Sequence, residues 1–127
     1  MEELITKEVV ISKHLVKTAV EEEKQTIVHC KVSSAGGMRI WKTTYLVQNT
    51  GRKSQLILAH GISVAPIWCR GNIINGLGQF TLIFEGLDKE CKSFYLDEII
   101  PERNGYFSEV VKRNSVDVYN VDLLIKK

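Results

Sequence analysis

Apolar and polar residues alternate with a period of two along most of this chain, the spacing of strands that bury one face. Residues 26–33 show it well: Val28, Cys30 and Val32 fall on one side, Ile27, His29 and Lys31 on the other. Residues 79–85 set Phe80, Leu82 and Phe84 against Thr81 and Ile83, a strand with both faces at least partly covered. Further strands are predicted over 5–11 (Ile5, Val9 and Ile11 on one face), 38–48, 52–59, 93–100 and 116–125. In the last of these, Asp117, Tyr119, Val121, Leu123 and Ile125 oppose Val116, Val118, Asn120 and Asp122.

Turn signals separate these runs. Gly36-Gly37, Gly86 with Asp88, Pro101 and Asn104-Gly105 each interrupt the alternation, and Asn49-Thr50-Gly51 is the clearest hairpin signal, because Asn and Gly tolerate positive φ. From 61 to 78 four glycines (Gly61, Gly71, Gly76, Gly78), Pro66 and Asn75 break up any long element. Ile62, Val64, Ile67 and Trp68 suit a short edge strand there, with Pro66 limiting its pairing. Segment 12–23 has two readings. Leu15, Val16, Ala19 and Val20 follow helical spacing after Ser12, a suitable N-cap. The β-branched Val16, Thr18 and Val20 instead favour a strand turning at 21–24 into 26–33.

Seven to nine strands with frequent turns and no crossover helix predict an all-β domain spanning 1–127. An immunoglobulin-like two-sheet β-sandwich is favoured over a barrel, because strand lengths are uneven and the glycine-rich connection is long. Val28, Cys30, Phe80, Leu82, Phe84 and Leu96 are the expected seam between its layers.

Composition adds a few exclusions. The chain has 127 residues, 44% hydrophobic and 25% charged, which is enough apolar surface to offset the entropy of ordering. A formal charge of +2, dispersed along the chain, lacks the basic stripe that nucleic acid requires. The N-terminal Met1-Glu2-Glu3-Leu4 shows no signal-peptide pattern and no apolar run reaches a membrane span, so the expected location is cytoplasmic; an upstream segment trimmed from this sequence would make it secreted or periplasmic. The three cysteines, Cys30, Cys69 and Cys91, are too few for a disulfide framework and read as free thiols, with one bridge between two of them left open.

Searches for chemistry find little. His14, His29 and His60 lack the short pairing with cysteine or histidine that structural zinc uses, and His29 and Cys30 face opposite ways on a strand, so no metal site and no cofactor is expected. Cys69 beside Arg70 is the one thiol with an adjacent cation, and His60 would be its base in a hydrolytic or redox reading. Asp97 and Glu98 also face apart, unlike a glycosidase pair, and Asp88, Glu90 and Glu102 suit turns. Gly76-x-Gly78 lacks a following helix for phosphate. The remaining lead is aromatic: Trp68 beside Ile67 in the glycine-rich connection, then Trp41 and Tyr45, with Tyr106 and Phe107 near a turn.

The run Phe80-Thr81-Leu82-Ile83-Phe84-Glu85-Gly86-Leu87, then Lys92-Ser93-Phe94-Tyr95-Leu96-Asp97-Glu98-Ile99-Ile100-Pro101-Glu102, then Val118-Tyr119-Asn120-Val121-Asp122-Leu123, resembles the small uncharacterised immunoglobulin-like domains of gut anaerobic bacteria. These occur alone or ahead of thioredoxin-like domains. Thr43-Thr44-Tyr45-Leu46 followed by Gly51-Arg52-Lys53 is similar to that family's central hairpin. The resemblance implies a sandwich and carries no active-site residue; the chain has no Cys-x-x-Cys.

The expected function is therefore a non-enzymatic accessory or interaction module that docks onto a protein partner or onto itself. A ligand-binding domain, for carbohydrate among others, using the Trp68 loop is the alternative. An enzyme centred on Cys69 is a third reading.

Overall fold

The computed structural model describes residues 8–10, 24–33, 38–65, 72–74, 77–101 and 104–126. Among them every regular element is a strand: β1 (Glu8–Val10), β2 (Gln25–Ser33), β3 (Arg39–Ile40), β4 (Thr44–Gln48), β5 (Lys53–His60), β6 (Ser63–Val64), β7 (Asn72–Ile74), β8 (Leu77–Glu85), β9 (Ser93–Glu98), β10 (Tyr106–Phe107), β11 (Val111–Lys112), β12 (Val118–Asp122) and β13 (Leu124–Ile125). The all-β expectation holds.

Eleven of these strands form one sheet. Its path runs β12-β2-β8-β5-β4-β9-β10-β13, with β1 on β5, β7 on β8 and β11 on β9, while β3 and β6 make a separate parallel pair. The two ends of the path, β12 and β13, are separated in the chain only by Leu123. The ladder continues through that residue: Leu123 N–H donates to Lys31 O at 2.7 Å, and Lys126 N–H donates to Gly105 O at 2.9 Å. Residues 118–126 therefore touch both margins, and the sheet is nearly closed on itself. The sequence favoured a sandwich over a barrel; the observed hydrogen bonds show one large, nearly closed sheet.

The core follows the predicted alternation. Cross-strand pairs Thr26↔Phe84, Val28↔Leu82 and Cys30↔Phe80 place the inward residues of β2 and β8 side by side. On the other flank, Leu46↔Leu96 and Gln48↔Phe94 do the same for β4 and β9. All six expected seam residues are buried, none more than 4% exposed. Tyr119 stands edge-on to Phe94, ring centroids 4.8 Å apart, and seats the C-terminal strand on this core.

β5 turns the corner between the flanks. Leu56 pairs with Phe84 but Leu58 with Ile83, so Ile57 is an extra residue in the ladder. Leu56 and Ile57 are consecutive and both buried, the expected result when a bulge shifts the phase of the alternation. Residues before it pair with β4 and those after it with β1.

Several expected boundaries are corrected. The run 38–48 is two strands, broken by a turn at Lys42-Thr43 in which the Thr44 hydroxyl donates to Trp41 O at 2.7 Å. The tract 61–78 contributes β6 and β7, and Gly78 lies inside β8, in register with both Ile73 and Val32. β10 and β11 cross β9 where only a turn was anticipated. Gly105 is demanded by that crossing, since a Cβ there would sit 2.6 Å from Glu98 O. The Asn49-Thr50-Gly51 hairpin is present between β4 and β5, with Gly51 at φ +94. Segment 12–23 lies outside the described residues.

Burial predicts an uneven mutational response. Leu82→Ala should lower unfolding free energy by about 2–5 kcal/mol in urea titrations, while Val116→Ala, at a 69% exposed position, should stay within about 0.5 kcal/mol of wild type.

Candidate functional site

Trp68, Ile67, Cys69, Arg70 and His14 lie outside the described residues. Trp41 is half-buried: the Arg39 guanidinium lies 5.6 Å over its ring, and its backbone N–H donates to Glu98 Oε2 at 2.9 Å. Tyr45 is also half-buried, with Lys53 Nζ 5.4 Å above its ring. The structure gives these two aromatics separate partners. Cys30 and Cys91 are buried and free. Burial pushes both thiols above their ordinary pKa, Cys30 strongly, which suits packing and not nucleophilic attack.

Asp97 and Glu98 face apart, as their alternation requires. Asp97 points out and pairs with Lys126 Nζ at 2.6 Å. Glu98 points in and is 3% exposed. Its Oε2 accepts from Trp41 N–H and its Oε1 from Tyr106 N–H, both at 2.9 Å. One carboxylate thus ties the segments on either side of β9 to that strand. Burial raises its pKa, opposed by those two N–H groups and more weakly by Lys126 and Arg39. Glu98 is a structural clamp that sequence reasoning placed on a strand without recognising its role.

A second polar cluster closes the turn between β11 and β12. Arg113 holds Asp117 through Nε at 3.2 Å and a terminal nitrogen at 3.1 Å, and also donates to Asp88 O and to Cys91 O. Tyr119 Oη donates to Asp117 at 2.8 Å and accepts from Asn114 N–H at 3.1 Å. Burial first, then Asp117, pushes the Tyr119 phenol up to about 12. Asp117 adopts φ 54, a strained value for a non-glycine residue, held by Asn114 Oδ1 accepting its N–H at 2.7 Å. Through Arg113 the turn is tied to the connection between β8 and β9 as well as to itself, so the cluster reads as a fastening.

Among the described residues, two outward sheet faces stand out. Register aligns Gln55, Tyr45, Asp97, Phe107 and Leu124 in one row across β5, β4, β9, β10 and β13. The adjoining row is Lys53, Val47 and Tyr95. Tyr95 is 39% exposed and Leu124 42%. At the edge of this face an apolar groove of about 690 Å³ is lined by Val32, Phe107, Leu123, Leu124 and Ile125, with Ser33 and Lys126 at its rim. Tyr45 and Phe107 are the sequence-predicted aromatics that belong here; Tyr95 was passed over because it falls mid-strand, away from any loop.

On the opposite flank the row is Asn120, His29, Thr81 and His60, across β12, β2, β8 and β5. His29 Nδ1 and the Thr81 hydroxyl are hydrogen-bonded at 2.8 Å. These four, with Lys31, Gln79 and Asp122, line an open polar groove of about 550 Å³.

No protein-family model, curated protein or solved structure matches the chain. Among the described residues no three His, Cys, Asp or Glu side chains form a metal-holding group, and no helix is long and apolar enough to cross a membrane.

The Glu98 clamp predicts a pH signature. A carboxyl whose folded pKa is raised contributes stability that is full below the unfolded pKa and is lost as pH rises through the folded value. Wild type should therefore lose this contribution as pH climbs from the ordinary carboxylate range, whereas Glu98→Gln should not. Urea unfolding at several pH values between 4 and 8 should show the wild-type-minus-variant difference shrinking as pH rises.

Proposed function

We propose that the protein is a non-enzymatic interaction module that docks through the outer face of β4, β9, β10 and β13, with a second copy of the chain as its occupant. The carrying observation is the cross-strand row Tyr45, Asp97, Phe107, Leu124 beside Val47 and Tyr95. It gathers the exposed Tyr95 and Leu124 with the half-buried Tyr45, Val47 and Phe107, aromatic and aliphatic side chains of which the tyrosines are of the kind enriched at binding hot spots, and it adjoins the apolar groove. Self-association is favoured by the charges: Asp97 is already neutralised by Lys126 and Lys53 sits on the Tyr45 ring. Two such faces meet without a large repulsive field.

An immunoglobulin-like, two-sheet relationship is part of this proposal. What supports it is the all-β path and the two packed flanks, β2 with β8 and β4 with β9. The alternative built on Trp68 and Ile67 falls on residues whose structure is not described.

Sedimentation across a concentration series tests the proposal. Wild type should dimerise reversibly, and Tyr95→Glu combined with Leu124→Glu should weaken the dimer by at least about tenfold, the equivalent of 1.4 kcal/mol. A wild type that stays monomeric at millimolar concentration, or a dimer indifferent to both substitutions, overturns it.

A further inference from the structure

We propose that the slot between β11 and β12 takes up an extended peptide of a partner protein, with basic residues at alternate positions, as an added strand. This goes beyond the self-association above and does not require it. The slot lies between two segments that are held together at both ends. At one end β10 and β13 are paired, Phe107↔Leu124 and Tyr106↔Ile125. At the other, the 113–117 turn is tied by Arg113 to Asp117 and by the Asn114 side-chain amide to Val118 O at 2.9 Å. In between, β11 follows β9 and β12 follows β2, and no pairing joins β11 to β12. An extra residue makes them part. Phe107 stands opposite Asp97 but Val111 opposite Phe94, so the register along β9 shifts by one and the bulged segment bends. The Ser108 hydroxyl, accepting Leu96 N–H at 2.8 Å, holds that bulge.

The backbone groups facing the slot specify its occupant. Ile27 N–H donates to Asp117 O at 3.0 Å and Leu123 N–H to Lys31 O at 2.7 Å, so the odd-numbered residues of β12 turn their peptide groups toward β2. Those of Asn120 and Asp122 turn the other way, into the slot. Arg113 N–H donates to Lys92 O at 2.9 Å, which leaves Val110 and Lys112 facing the slot from its other wall. Open N–H and C=O groups at strand spacing are a template for one more strand. The slot, of about 320 Å³, has Glu109 to Val111 on one wall and Asn120 to Asp122 with Leu124 on the other. Val121 is buried and Val111 packs against the core, so both offer an apolar floor to alternate side chains of an incoming strand. Glu109 and Asp122 are exposed, and among the described residues they are the only charged side chains lining the slot. Lys31, the cross-strand neighbour of Asp122, lines the polar groove on the other side of β12. A strand laid here therefore meets apolar surface on one face and negative charge on the other, which selects basic residues at every second position.

NMR titration of the full chain with the capped hexapeptide (Lys-Val)3 tests this. The backbone amide resonances of Val110, Lys112, Asn120 and Asp122 should shift together and saturate below millimolar peptide. The same peptide with every backbone nitrogen methylated has no main-chain donor and should bind at least about tenfold more weakly. Asn120→Pro deletes only a slot-facing N–H and leaves the β2 ladder its donors; it should weaken binding by about tenfold, with thermal unfolding confirming the fold. Glu109→Lys combined with Asp122→Lys should weaken (Lys-Val)3 by a similar factor and admit (Glu-Val)3, which wild type should reject. Absence of binding at millimolar (Lys-Val)3, equal affinity for the acidic peptide, indifference to methylation, or shifts confined to another part of the chain overturns the proposal.

Discussion

The architecture depends on one stretch of backbone, residues 118–126, pairing in two directions. Its first half lies parallel to β2, from Val118↔Ile27 to Asp122↔Lys31, and its second half is antiparallel to β10 through Leu124↔Phe107 and Ile125↔Tyr106. Counted as a single strand it completes a circuit of seven: itself, β2, β8, β5, β4, β9 and β10. Going round such a circuit must return the chain direction to its starting sense, so the number of antiparallel steps must be even. Seven strands therefore need an odd number of parallel pairings, and the contact with β2 is the one this sheet has. Closure also removes most of the free edge that an open sheet would expose.

Closure concentrates polar chemistry at the places where the circuit bends. Glu98 draws Trp41 and Tyr106 toward β9 on one side of the molecule. At another bend, Arg113, Asp117 and Tyr119 fasten the approach to β12. Near the β4–β5 hairpin, buried Gln48 donates to Ser54 Oγ at 3.0 Å and accepts from Asp88 N–H at 2.9 Å. No buried side-chain nitrogen or oxygen lacks a partner among the described residues. Such groups cost several kcal/mol when left unpaired, so satisfying them locks each bend into one arrangement.

With their buried polar groups committed to the fold, the described residues present two sheet faces of contrasting character. One is aromatic and aliphatic, with Asp97 paired to Lys126 and Lys53 lying over the Tyr45 ring. The other carries two imidazoles, a hydroxyl and amides in a shallow groove. Both are products of register: Phe107 meets Tyr45 only through Asp97, and His60 meets His29 only through Thr81.

Much of the fold was legible in the chain because period-two alternation is a local property. Val28, Cys30, Phe80, Leu82, Phe84 and Leu96 could be assigned to the interior, and Gly51 to a turn, without knowing any partner strand. The short strands β7, β10 and β11 were not legible, since two or three residues carry too little pattern and are held only by the strand they cross. The Ile57 bulge and the split pairing at Leu123 were hidden too, because each depends on which neighbours flank the strand. The candidate sites were the least readable part: a residue's face follows from its own strand, but its companions follow from register between strands far apart in sequence. Sequence alone determined what points inward; the tertiary structure decided which outward residues stand together, because long-range backbone pairing sets that and no local preference encodes it.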